Sequence, residues 1–515
     1  MDSLNTIAIG QRFCVGLPGM EIDSETEALI RKYKIGNVIL FRRNIRSREQ
    51  LATLCFQLRL LIASETGIEP FIIVDQEGGE SSVLSEDFAN IPSAMALRAS
   101  DNPENARFCG WVTGKELSSV GVNVDLAPIL DVNSNPNNPS IGVRSYGEDA
   151  EEVTSFGMQM AKGLAGSGIL CCAGHFPGHG DSSVDSHLQL PIVQKTMGEL
   201  EKLELVPFKK AILDRIPMVM TAHIVFPKID DSGLPATMSK KILVDLLRDK
   251  MKFEGIVLTG CMEKKAIADY FGTVPSAVQA LENGADIALF SNHASLAADA
   301  ISKIYEKKID ESVLMMSYKR ILTAKVKTFS KNKPVNGAIA MDYAAIDKIG
   351  LQSVTECNIP ENGLPPFGRD PLFIGCSPSS FRPSSFEEIT DFSFSEAMSA
   401  EFGGVAKKVS PNPDLNEIHR IIKEAGNCTS IVLATANGHI RRGQLDLGLA
   451  LENLGKPMIV VAMGSPYDLA FFSASTATIA IYEYTRRSLR WLVSYFSGQT
   501  KKLGKPFFSL DAQEA

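Results

Sequence analysis

The chain lacks the marks that tie a protein to nucleic acid, to a membrane or to a metal. There is no basic arm and no Lys/Arg-rich run, and a formal net charge of -8 with a pI near 5.6 argues against nucleic-acid or anionic-membrane partners. No apolar run reaches the roughly 18 residues that suggest a bilayer span. Met1 to Phe13 also lack the cationic and then apolar order of a secretory signal. The nine cysteines are odd in number and not spaced as metal ligands. Together with the adjacent pair Cys171 and Cys172 they indicate free thiols in a reducing compartment, so a cytoplasmic protein is expected. Neither a fixed-period repeat nor a low-complexity tract is present. What remains is an acidic globular chain of 515 residues, 44% hydrophobic, long enough for two or three domains.

Short apolar runs recur along the first two thirds, with helical patterns between them. They are Phe13 to Leu17, Gly36 to Phe41, Pro70 to Val74, Val122 to Leu126, Gly168 to Cys172, Pro217 to Met220, Gly255 to Leu258 and Ala285 to Phe290. Eight strands alternating with helices predict an α/β fold that opens with a (β/α)8 TIM-type barrel, whose site lies at the C-terminal strand ends. The polar residues agree with that placement: Asp75 follows the third run, Asp131 lies beyond the fourth, His175 follows the fifth, His223 the sixth and His293 the eighth. The stretch Ala173-Gly174-His175-Phe176-Pro177-Gly178-His179-Gly180-Asp181, closing with Asp185-Ser186-His187, interleaves catalytic-type side chains with glycine and reads as an active-site loop. By contrast Gly255 to Cys261 ends like a functional strand but carries no carboxylate at its tip.

Past Thr328 the composition changes. Residues 1–328 are expected to form the barrel, 329–369 a linker marked by the Pro-, Gly-, Asn- and Lys-rich stretches Lys331 to Gly337 and Asn358 to Arg369, and 370–515 a smaller α/β/α sandwich. Its strand candidates are Pro371 to Cys376, Ser430 to Ala434, Pro457 to Met463 and Thr476 to Tyr482.

Several motifs resemble glycoside hydrolase family 3, most of all its β-N-acetylglucosaminidase branch and the wording of fungal members. They are Asp75-Gln76-Glu77-Gly78-Gly79, Ala127-Pro128 with Asp131-Val132-Asn133, Ile141 to Asp149, the His175 loop with its Asp-Ser-His ending, Met220-Thr221-Ala222-His223, and Pro466-Tyr467-Asp468-Leu469 in the second domain. The resemblance implies a retaining mechanism in which an aspartate attacks the anomeric carbon and an Asp-His pair on the loop serves as general acid and then base. Asp185 and His187 match that pair. Independently of the family, a carboxylate two residues from a histidine on a tight loop can orient an imidazole that titrates near working pH. Asp75, Arg144 and His175 remain as positions for a sugar-like ligand.

The departures are as informative. Where the resemblance places the nucleophilic aspartate stands Gly260, where it places a lysine before the loop histidine stands Gly174, and where it places an arginine after Gly78-Gly79 stands Val83, with Glu80 a new acid nearby. Three losses in one pocket point to divergence. The expected function is a nucleophile-lacking relative performing acid/base, non-hydrolytic chemistry on a small molecule with Asp185 and His187, with Glu80 and His223 as further pocket candidates. The alternatives are a catalytically dead binder of a sugar-like ligand, or a residual β-N-acetylglucosaminidase working without a carboxylate at 260, for instance through Cys261 or the substrate's acetamido group. No metal and no cofactor are expected. His179 reads as holding the loop shape, Asp131 to Asn138 as a turn network, His419 and His439 as surface residues, and His223 and His293 stay open between pocket wall and core.

Overall fold

A computed structural model describes residues 3–307, 309–331, 342–378, 392–500 and 503–508. Eight parallel strands close into a barrel in chain order: β1 (Phe13–Gly16), β2 (Asn37–Leu40), β3 (Phe71–Val74), β4 (Val124–Asp125), β5 (Leu170–Phe176), β6 (Met218–Thr221), β7 (Ile256–Cys261) and β8 (Ile287–Phe290). All eight fall on the expected apolar runs. Alternation sorts their side chains into two layers: Cys14, Ile39, Phe71, Ile73, Val124, Cys172, Met218 and Leu258 fill the barrel, while Val15, Val38, Ile72, Val74 and Val257 face the helices. The floor is closed by the helix Glu311–Lys331, which sends Ile321 into the interior cluster and Lys325 Nζ to Gln11 Oε1 at 2.6 Å. Asp286, at the same end, is held by Arg248 and Arg320. Asp286 is therefore ion-paired and Lys325 is hydrogen-bonded to neutral oxygens, which fits the stabilising role of that end.

The second sheet has the order β11-β10-β12-β13-β14-β9. Its strands are β9 (Thr355–Asn358), β10 (Pro371–Gly375), β11 (Val405–Lys408), β12 (Ser430–Thr435), β13 (Met458–Ala462) and β14 (Ala477–Ala480). All pair in parallel except β9, which lies antiparallel on β14. Leu372, Ile374, Leu433 and Val460 face one helix layer and Phe373, Val432, Ile459 and Val461 the other. Burial on both faces is why the central strands read as continuous apolar runs.

The linker expected over 329–369 is corrected in part. Residues 332–341 lie outside the described residues, but a helix spans Asp342–Leu351 and β9 completes the sheet within the stretch taken as connection. The two sheets are joined by specific contacts. Ser93 N donates to Glu483 Oε2 at 2.8 Å, Asn133 Nδ2 to Tyr467 Oη at 3.0 Å, and Tyr467 Oη to Glu148 Oε1 at 2.5 Å. Among the described residues no helix is long and apolar enough to cross a membrane.

Candidate active site

The candidate residues gather where the strands end. Asp75 follows β3, His175 lies within the last turn of β5, and Asp185 and His187 stand on the loop that leaves β5. That loop is fixed at several points. Asn138 Nδ2 donates to His179 O at 2.7 Å and to Gly180 O at 3.0 Å, while Val193 N donates to Val225 O at 2.9 Å on its far side. Gly180 is required by close approach, because a Cβ there would lie 1.6 Å from Val132 O.

Asp131 is the hub of the first layer. Its carboxylate accepts His175 Nδ1 at 2.8 Å, His175 N at 3.2 Å and His179 N at 2.7 Å. Burial would raise this carboxyl, but the facing His175 and these hydrogen bonds hold it below its ordinary value. The segment read as a turn network thus also orients His175 toward the mouth. His179 is buried, its pKa driven down to about 3 by burial and by neighbouring His175, and its Nδ1 faces Ser182 Oγ at 2.8 Å.

The pair at the loop tip is formed. His187 Nδ1 lies 2.8 Å from Asp185 Oδ1, and the same oxygen accepts His187 N at 2.8 Å. Burial opposes charge on Asp185, yet the hydrogen bond and charge of His187 hold the carboxyl well below the usual carboxylate range. Burial and the nearby Lys264 ammonium lower His187 more than Asp185 raises it. The imidazole is therefore neutral near pH 7. With Nδ1–H committed to Asp185, Nε2 carries the free lone pair. Ala266 N donates to Ser186 O at 3.2 Å, docking the tip against the loop after β7.

Asp75 and Arg144 meet, but through a residue the sequence reading left unassigned. Glu77 takes the Arg144 fork, with Nε to Oε2 at 2.7 Å and Nη2 to Oε1 at 2.5 Å, and Nη1 goes to Ser140 O at 2.8 Å. The guanidinium expected to hold a ligand is thus largely occupied within the protein. Burial and the adjacent Glu77 push Asp75 up to about 7, against Arg144 and Lys264. Near neutral pH the carboxyl is therefore shared between its protonated and ionised forms. The signal for Glu77 was present in its own motif: a buried arginine needs a carboxylate.

Position 260 has no room for a side chain. A Cβ on Gly260 would lie 2.7 Å from His223 Nε2. That ring is pinned, with Nδ1 2.8 Å from Thr237 Oγ1 and Nε2 2.9 Å from Cys261 O. Burial and Lys264 drive its pKa down to about 3. A neutral ring donates from Nε2 to Cys261 O, so His223 is wall with both nitrogens engaged. Gly174 is different, since a Cβ there would meet only Ile129 Cδ1, at 3.6 Å.

Several expectations need correction. Glu80, taken for a pocket acid, accepts Tyr484 N from the second domain at 2.7 Å. Val83, where an arginine was expected to face the ligand, is fully buried in the outer barrel core. Burial and Glu263 raise the Cys261 thiol, which keeps it protonated and weakens it as a nucleophile. His293 is exposed and pairs with Glu263 at 2.5 Å. His439, read as a surface residue, has its side chain covered, its Nδ1 2.7 Å from Asp468 Oδ1 and its Nε2 3.0 Å from Pro136 O of the barrel. Among the described residues no group of three or more His, Cys, Asp or Glu could hold a metal.

A closed barrel with a histidine-bearing loop at its mouth belongs to the class of barrel proteins that carry their site on the strand-end loops. This chain belongs to glycosyl hydrolase family 3, whose N terminal domain matches residues 7–324. It is 29% identical to Beta-hexosaminidase A of Pseudoalteromonas piscicida, over 89% of this chain and 85% of that protein. It superposes on a glycoside hydrolase family 3 beta-N-acetylglucosaminidase from Paenibacillus sp. str. FPU-7 with a TM-score of 0.87 and 30% identity, covering 97% of this chain and 98% of that one. A fungal multi-domain GH3 beta-N-acetylglucosaminidase matches with a TM-score of 0.89 and 29% identity, over 99% of this chain and 62% of the fungal one.

Proposed function

We propose that this family 3 chain performs proton transfer on a small molecule with Asp185 and His187, without a covalent glycosyl intermediate. The observation that carries the reading is the pairing of an intact dyad with a filled nucleophile position: His187 Nδ1 is 2.8 Å from Asp185 Oδ1, while the space beside Gly260 holds the His223 ring, 2.7 Å from where a Cβ would stand. His187 Nε2 accepts a proton from a substrate C–H or O–H, Asp185 stabilises the imidazolium so formed, and the proton returns at another position. Asp75, raised to about 7 by burial and Glu77, supplies a hydrogen bond to a substrate oxygen in its protonated fraction. Asp185→Asn impairs the step by misorienting the ring, and His187→Ala costs about 10²–10⁴ in rate, the usual contribution of a general acid or base.

The test needs no prior substrate. A cell metabolite extract in D2O is incubated with wild-type protein and with His187→Ala. The reading expects at least one compound that is converted or deuterated by wild type alone. Identical extracts after both incubations contradict it and favour a non-catalytic binder. A second reading, a slow β-N-acetylglucosaminidase without a carboxylate at 260, draws on the relatives named beta-hexosaminidase. Its Cys261 form is disfavoured by the raised thiol.

A further inference from the structure

The segment from Asn133 to Asn138 is gripped from two sides. On one side it carries the root of the β5 loop. Asn135 N donates to Gly180 O at 3.2 Å, Asn135 Nδ2 reaches Ser182 O at 3.4 Å, and Asn138 Nδ2 bonds His179 O and Gly180 O and lies 3.3 Å from Ser182 Oγ. On the other side two side chains of the sandwich hold it: His439 Nε2 lies 3.0 Å from Pro136 O, and Tyr467 Oη accepts Asn133 Nδ2 at 3.0 Å. The second domain and the loop that bears Asp185 and His187 thus share one stretch of backbone.

Both sandwich side chains are themselves fixed from behind. Asp468, fully buried, accepts His439 N at 2.8 Å and faces His439 Nδ1 at 2.7 Å through the same oxygen, the arrangement by which Asp185 holds His187. A carbonyl only accepts, so Nε2 is the N–H that donates to Pro136 O. Proline has no N–H of its own, and its carbonyl is the one backbone group by which a neighbour can bond it. Tyr467 Oη donates to Glu148 Oε1 at 2.5 Å, which turns its lone pairs toward Asn133 Nδ2. At the head of the same segment Asp131 holds His175 Nδ1 and His179 N.

We propose that His439 and Tyr467 are positioning residues contributed by the sandwich domain: by fixing the segment 133–138 they hold the loop root from His179 to Ser182, and through it the alignment of His187 with Asp185. The inference rests on reading the Asp185–His187 pair as the site of proton transfer, and it adds the second domain to that site. Only Ser183 and Val184 stand between the root and Asp185, so a displacement of the root reaches the pair with little chain to absorb it. A misplacement of about 1 Å at a reacting group can cost roughly 10²-fold in rate. Neither His439 nor Tyr467 needs to touch a substrate to matter.

The experiment reads the dyad directly and needs no substrate, so it stands apart from the test of proton transfer. Full-length protein labelled at histidine is followed by NMR at the His187 Nδ1–H, the proton bonded to Asp185. His439→Phe keeps a ring and removes the Nε2 donor, and Tyr467→Phe removes only the hydroxyl. Each is expected to quicken solvent exchange of that proton about three- to tenfold, as the loss of one hydrogen bond at the loop root implies. His439→Gln, whose amide can still donate to Pro136 O, should return exchange to the wild-type rate, a rescue that a packing role would not give. His419→Ala, at an exposed position of the same domain, should leave the rate unchanged. Wild-type exchange in folded His439→Phe and Tyr467→Phe, or equal quickening in His439→Gln, overturns the proposal; if His439→Phe does not fold, Tyr467→Phe decides. Quickened exchange together with identical metabolite extracts supports the positioning role while removing the catalytic reading.

Discussion

Gly260 and His223 form one unit, since the imidazole fills the volume that a side chain at 260 would need. Introducing Gly260→Asp therefore does more than add a carboxylate. The His223 ring must leave Thr237 and Cys261 O, a change expected to cost about 1–3 kcal/mol as overpacking of a filled site, read as a lowered denaturation midpoint. Little hydrolysis should return with it. Wild-type stability in Gly260→Asp would show that the site relaxes freely. At this scale the sequence was readable where residues are near one another in the chain, as Asp185 and His187 are. It was misleading for Glu80, because that residue is decided by a partner some four hundred residues away. Tyr484 N claims Glu80.

For whole elements, burial on both faces made the strands legible, and its absence hid two of them. β11 has the pattern Val-Ala-Lys-Lys with exposed ends, as an edge strand protected by lysine should. β9, with Glu356 exposed, joins only β14. Neither gives an apolar run. The β5 loop carries a pH prediction. His179 and His223 have folded pKa values near 3, below the unfolded value of about 6.5. The unfolded chain thus binds more protons between these values, so the contribution of both residues is complete above about pH 6.5 and is lost progressively as pH falls toward 3. Urea midpoints measured from pH 7 to pH 4 should decline, and His179→Gln should flatten part of that decline. An unchanged slope in the variant would place the acid sensitivity elsewhere.

The molecule as a whole depends on a polar seam between barrel and sandwich, and this seam titrates in the opposite sense. Burial raises Glu483 to about 7, above its unfolded value of about 4.3. Its contribution is therefore fully present below that lower value and is lost as pH rises through about 7, when a buried carboxylate must ionise. Hydrogen exchange at Ser93 N, which donates to Glu483 Oε2 at 2.8 Å, should quicken beyond its intrinsic pH dependence from pH 6 to 8, and Glu483→Gln should remove the excess. The barrel-then-sandwich order was legible in the sequence because each sheet has its own series of apolar runs. The seam was not, since His439 and Tyr467 pair with barrel residues some three hundred positions away.

The most direct test of the central claim is the turnover of an aryl β-N-acetylglucosaminide by the wild-type chain, with intact mass recorded during the reaction. If, as proposed, glycine at 260 leaves the chain without a nucleophile, turnover should lie several powers of ten below the roughly 10 per second typical of enzymes, and no glycosyl adduct should appear on the protein. A rate within about tenfold of that value, or an adduct of one sugar unit, would contradict the account.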